Sequence, residues 1–135
     1  MEDIFEGLRI PERVAMLESA KQKKFDDGQT IIQEDTRNDT IFAIVEGEVS
    51  VVIGSGENAN EVARLSAGAI FGEMSFLAHT TTSASIIAAG NVELICVSHQ
   101  TIAGMIEKDP EFAGRFYRSL ACTLAERLRR ANQRK

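Results

Sequence analysis

The sequence predicts a mainly β domain with helices at both ends, and three observations carry that prediction. Apolar residues recur at helical spacing near the start (Ile4, Phe5, Leu8, then Val14 and Leu17) and again after Ser98. Between residues 25 and 97 the pattern changes to short apolar runs cut by glycine and Asx residues, the mark of many short strands. The length of 135 residues suits one such domain with its own core.

Taken in order, residues 1–24 read as helices, with Pro11 placed to open the second segment at its first turn. Strands are predicted at residues 30–33, 41–46, 48–53, 61–65, 83–88 and 91–97. Asp27-Gly28, Glu46-Gly47, Ala67-Gly68 and Gly90-Asn91 each supply a residue that tolerates positive φ between two runs. Gly54-Ser55-Gly56-Glu57-Asn58 is a polar loop suited to an exposed hairpin tip. Short strands at this spacing argue for a closed antiparallel barrel or jelly roll rather than a parallel sheet with crossover helices. No internal repeat or low-complexity linker interrupts the chain, so residues 1–135 read as one domain: helices 1–24, strands 25–97, and a hinge with helices at 98–135.

The last helix has a defined start. Asp109 offers an N-cap, Pro110 fits the first helical position, and Glu111 complements the positive helix end. Phe112, Phe116, Leu120, Leu124 and Leu128 then form an i, i+4 stripe, which either packs on its own domain alone or also forms a homodimer seam. Arg127, Arg129, Arg130, Arg134 and Lys135 crowd the last turns, where cations complement the negative helix end.

Composition narrows the function classes. Hydrophobic residues at 44% and charged residues at 26% exclude a disordered or collagen-like chain. The net charge of −5 argues against direct DNA binding. No apolar run approaches the roughly 20 residues of a membrane span, and Met1-Glu2-Asp3 is unlike a secretory leader, so a cytoplasmic domain without membrane contact is expected. Cys96 and Cys122 are expected to be buried or half-buried thiols. His79 and His99 have no metal-site spacing, so no metal or cofactor is expected. No nucleophile–base pair or paired acids stand out, which argues against an enzyme.

The chemistry-bearing stretch spans residues 68–86. Gly72 permits close backbone approach, and a short helical turn beginning at Glu73 would aim amide N–H groups forward, where they suit anionic oxygens. Glu73 suits a hydroxylated ligand such as a ribose, and Thr80, Thr81, Thr82 and Ser83 cluster hydroxyl donors. The same residue types also fit a plain inter-strand loop with a surface acid.

From Phe5 to about Arg130 the chain resembles the cyclic nucleotide-binding domain family. The matching residues are Phe5, Leu8 and Leu17, the run from Phe25-Asp26-Asp27-Gly28 to Ile32, Ile41-Phe42-Ala43-Ile44-Val45-Glu46-Gly47-Glu48-Val49, and above all Gly68 with Phe71-Gly72-Glu73-Met74. The resemblance implies a β roll of about eight strands, a phosphate-binding cassette at residues 68–85, and a C-terminal helix that caps the ligand or dimerises. It further implies a backbone contact at Gly72, a bond from Glu73 to the ribose 2′-hydroxyl, and phosphate contacts at Ser83 and Ala84. Phe71 and Met74 belong to the same cassette motif, and Arg127 with Leu128 would lie near the base.

One departure stands out. The family's Pro-Arg before the small residue is Thr81-Thr82 here, so the arginine that would neutralise a cyclic phosphate is absent. Hydrogen bonds to charged groups contribute about 1.5–3 kcal/mol each, and tenfold in affinity corresponds to ~1.4 kcal/mol. Asp35 and Asn38 replace family glycines in a turn, at positions where Asx residues tolerate left-handed backbone. The expected function is a non-catalytic regulatory module that binds a cyclic nucleotide or related anionic small molecule. The first guess is cAMP, held weakly through Thr82, with signalling through the last helix. The alternative is a nucleotide-independent dimerisation or protein-docking module with a degenerate pocket.

Overall fold

In the computed structural model, which describes residues 7–133, α1 (Ile10–Ser19) starts from the extended Arg9 with Pro11 in its first turn. Glu12 accepts a hydrogen bond from the Arg9 N–H at 2.8 Å, satisfying one of the helix-start donors. The predicted Ile4, Phe5, Arg134 and Lys135 lie outside the described residues.

The helical reading of residues 1–24 is corrected at its end. Helix α1 stops at Ser19, and β1 (Lys21–Phe25) follows. Its lysines are exposed because β1 is an edge strand paired only with β6, and lysine on an edge discourages further pairing.

The remaining strands are β2 (Thr30–Ile32), β3 (Thr40–Ile53), β4 (Asn60–Ser66), β5 (Ile70–Phe71) and β6 (Ser85–Ser98), in the order β1-β6-β3-β4 with β2 on β6 and β5 on β3. All pairings are antiparallel. The runs predicted as 41–46 and 48–53 are one strand, as are 83–88 and 91–97. Gly47 and Gly90 do not end these strands but bend them, with φ of 93° and 89°, and the β3–β6 register shifts around Glu46. A Cβ on Gly47 would stand 2.4 Å from the Asn91 carbonyl oxygen, so the two bends nest against each other. Six strands, two of them bent, thus supply the roll: four of the six predicted runs merge into these two, and β1 and β5 are not among the predicted runs.

Alternation along the strands feeds two cores. Ile41, Ile70 and Val97 face the helices and pack with Leu8, Met16, Ile102, Phe112, Phe116 and Leu120. Their neighbours Phe42, Phe71 and Cys96 face the roll interior with Ile44, Val49, Ile86 and Leu94. The Phe42 and Phe71 rings stack at 4.9 Å across the β3–β5 pair.

The stretch predicted as a hinge is α3 (His99–Lys108), capped by the Ser98 hydroxyl, which accepts the Thr101 N–H at 3.0 Å. Helix α4 (Pro110–Gln133) begins where predicted, with Asp109 Oδ1 accepting the Glu111 N–H at 3.1 Å. The apolar stripe divides along its length. Phe112, Phe116 and Leu120 are buried, Leu124 is half-buried, and Leu128 is 64% exposed. Cys96 is buried, whereas Cys122 is exposed on α4, correcting the expectation of two sheltered thiols. Among the described residues no helix is long and apolar enough to cross a membrane.

Candidate ligand-binding site

The site grows from the junction of β5 with α2 (Glu73–Ala78). Gly72 turns the chain there with φ 89°, and a Cβ on it would stand 2.4 Å from the Thr40 carbonyl oxygen. Only glycine fits both the conformation and the space. Asn38 locks the same corner by donating from Nδ2 to the Thr40 carbonyl at 2.7 Å and to the Gly72 carbonyl at 3.2 Å. His99 lies beneath it. Burial lowers the imidazole pKa, opposed in part by the Gly72 carbonyl.

Gly72 delivers Glu73 into the interior. The residue is 1% exposed and its Oε1 lies 2.6 Å from the Arg127 guanidinium of α4. Arg127 also donates to the Ile70 carbonyl, and its side chain is only 22% exposed. Two segments 54 residues apart are thus joined by a sheltered, charge-assisted bond.

A cavity of about 160 Å³ opens at this bond. Phe71, Gly72, Glu73, Met74 and Ser75 form one wall, Thr82, Ser83 and Ala84 another, and Arg127 closes over them, with Ile32, Val51, Leu65 and Ile86 contributed by the roll. The structure therefore gathers all eight residues singled out in the sequence (Phe71, Gly72, Glu73, Met74, Thr82, Ser83, Ala84 and Arg127) around one space.

Three details differ from the expected roles. Arg127 engages the carboxylate instead of standing open to stack on a base. Leu128, expected beside it, is solvent-exposed and does not line the cavity. The Thr82 hydroxyl is committed to the β2–β3 connection: it donates to the Gln33 carbonyl at 2.6 Å and accepts the Thr36 N–H at 3.1 Å. Its backbone carbonyl also accepts the Asp35 N–H at 2.8 Å, and Thr81 Oγ1 donates to Asp35 Oδ1 at 2.9 Å. Asp35 holds a left-handed φ of 62°, the conformation for which an Asx residue suits that turn.

His79 ends α2 with φ 54° and faces elsewhere. It lines a separate cleft of about 750 Å³ with Arg37, Asn38, Asp39, His99 and Ser75, the last of which also borders the Glu73 cavity. No cluster of three or more His, Cys, Asp or Glu suited to a metal ion occurs among the described residues. Sequence reasoning missed the Asn38 brace and the partnership of Arg127 with Glu73. The resemblance sets Arg127 near the ligand's base, but nothing in the sequence points from it to Glu73.

Comparison with known proteins fits this geometry. The family model described as the cyclic nucleotide-binding domain matches residues 22–109. The chain is 30% identical over 131 residues to the cyclic AMP receptor protein of Thermus thermophilus, covering 96% of this chain and 58% of that one. It is 30% identical over 89 residues to a cAMP-dependent protein kinase type II regulatory subunit of Drosophila melanogaster, covering 66% of this chain and 24% of that protein. It thus spans from about a quarter to just under three-fifths of the length of these relatives. The crystal structure of the Thermus thermophilus catabolite activator protein superposes with a TM-score of 0.78 at 26% identity, over 97% of this chain and 60% of that chain. A β roll with a glycine-acid turn opening a short helix over its mouth, matched along most of its length by one family model, places this chain in the cyclic nucleotide-binding domain family.

Proposed function

We propose that this domain is a non-catalytic ligand sensor in which Glu73 captures ribose hydroxyls and α4 reports occupancy. One observation carries the reading: the buried Glu73 carboxylate borders the cavity and at the same time holds Arg127 of α4. A ligand hydroxyl donating to that carboxylate and the Arg127 guanidinium address the same group. Binding therefore changes the energy of α4 only to the extent that the two arrangements of Arg127 differ, which is the requirement for a population shift. Ser83 and Ala84, for which the family resemblance implies phosphate contacts, line the cavity, and cAMP is the first ligand to try. Its binding is weak on this reading, because Thr82 brings no charge and its hydroxyl hydrogen is already donated to Gln33.

Calorimetric titration with cAMP and cGMP tests it. Saturable binding that Glu73→Ala removes supports the reading, and binding that survives Glu73→Ala contradicts it.

A second reading, a dimerisation or docking helix independent of ligand, is favoured by the α4 face that carries Tyr117 at 43% and Leu128 at 64% exposure. Light scattering over a concentration series, with Leu128→Glu as control, tests that reading. A ligand-independent dimer lost in the variant supports its dimerising form, and a monomer throughout excludes that form.

A further inference from the structure

The charges around the Glu73 cavity point away from an anionic occupant. Glu73 and Arg127 are the charged side chains in its lining among the described residues, and they sit 2.6 Å apart on each other. The space they border is therefore close to neutral overall. An anion entering it would approach a buried carboxylate, while the neighbouring guanidinium is engaged by that carboxylate and by the Ile70 carbonyl. Losing water without gaining a countercharge is costly for an ion and far less so for a neutral polar molecule.

The hydroxyl wall does not mend this. The Thr82 hydrogen is given to Gln33, which leaves that side chain no donor for an incoming oxygen. Ser75 and Ser83 add neutral hydroxyls that carry no charge, and the roll side of the lining is aliphatic or aromatic, with Ile32, Val51, Leu65, Phe71 and Ile86. Such a surface suits a flat, weakly polar ring. The volume of about 160 Å³ is also small beside ordinary ligand pockets, which run from ~300 Å³ upward, and so favours the smaller of two related ligands.

We propose that the preferred occupant is an uncharged ribonucleoside, with its ribose hydroxyls on Glu73 and its base against the apolar roll interior. The proposal rests on the sensor reading above and refines it by removing the phosphate from the ligand. On this proposal a cyclic nucleotide binds more weakly than its nucleoside: the same ribose contact is made, and the phosphate adds an unmatched charge.

The test is calorimetric titration of the whole chain, at one ionic strength, with adenosine, guanosine and their 3′,5′-cyclic monophosphates. At least one nucleoside is expected to bind tenfold or more tightly than its own cyclic monophosphate, and Glu73→Gln is expected to abolish that binding. Ser83→Arg, at an exposed position of the cavity wall, should shift the ratio at least tenfold toward the cyclic monophosphate; thermal denaturation checks that each variant folds. A cyclic monophosphate that binds the unaltered chain as tightly as its nucleoside, or more tightly, overturns the proposal and leaves the sensor reading standing. An unchanged ratio in folded Ser83→Arg also counts against it. If none of the four compounds binds, the sensor reading falls and the proposal with it.

Discussion

The two halves of α4 are held to the roll by different physics. In the first half Phe112, Phe116 and Leu120 are sealed among α1, α3 and the outer face of the strands. Arg115 reinforces that seal by gripping Glu12 of α1 with both Nε and a terminal nitrogen, at 2.5–3.2 Å. In the second half Leu128 faces solvent, and Arg129 and Arg130 each pair with the nearby Glu126. Arg127 joins this half to the cavity through its bonds to the Glu73 carboxylate and the Ile70 carbonyl. Apolar burial is non-directional and hard to switch, whereas a single charged bond beside an open cavity is accessible to a competitor. The difference assigns anchoring to one half and reporting to the other.

The largest expected effect breaks the anchor. Phe116→Ala removes a fully buried ring that packs on Phe76, Phe112 and Tyr117 in the helix-side core, and should cost about 3–5 kcal/mol in denaturant unfolding. A loss below about 1 kcal/mol would mean that the first half is not the anchor.

Glu12→Gln comes next, with a smaller loss that depends on pH. Chiefly the Arg115 hydrogen bond, and then the Arg9 backbone, hold the Glu12 carboxyl below its ordinary value of 4.5, against the opposing effect of burial. A carboxyl depressed in the folded state contributes stability that is full above its unfolded pKa and is lost as pH falls through the folded one. The Tm gap between the unaltered protein and Glu12→Gln should therefore be constant near neutrality and close as pH falls below about 4. A gap that persists to pH 2 would contradict the pairing.

The smallest effect belongs to the second half. Leu128→Ala, on an exposed face, should change unfolding free energy by no more than about 0.5 kcal/mol. A larger loss would show that Leu128 is covered in solution and would favour the dimerising helix.

The same contrast explains what the sequence disclosed. Features set by local chemistry were legible: the Asp109-Pro110 helix start, the Gly72-Glu73 turn, and the apolar runs of the roll. Features set by distant partners were not. Gly47 and Gly90 read as breaks between strands because positive φ is common in turns, yet β3 and β6 pair on both sides of the bends, with the register shifting across them. Lys21–Phe25 shows no apolar alternation because it is an edge strand with most of its residues in solvent, so it read as the tail of a helix. Thr82 was legible as a missing arginine, but not as the residue whose hydroxyl ties residues 33 and 36 together. Nothing on α4 itself distinguishes Arg127 from Arg129 or Arg130; only the turn that brings Glu73 beneath it does.

Hydrogen exchange along α4 in Glu73→Gln tests the division of labour most directly. Without the carboxylate, amides of residues 124–133 should exchange several-fold faster, while those of residues 112–120 keep their protection under the aromatic core. Unchanged exchange at the far end, or an equal rise along the entire helix, would contradict the claim that Glu73 holds the reporting half through Arg127.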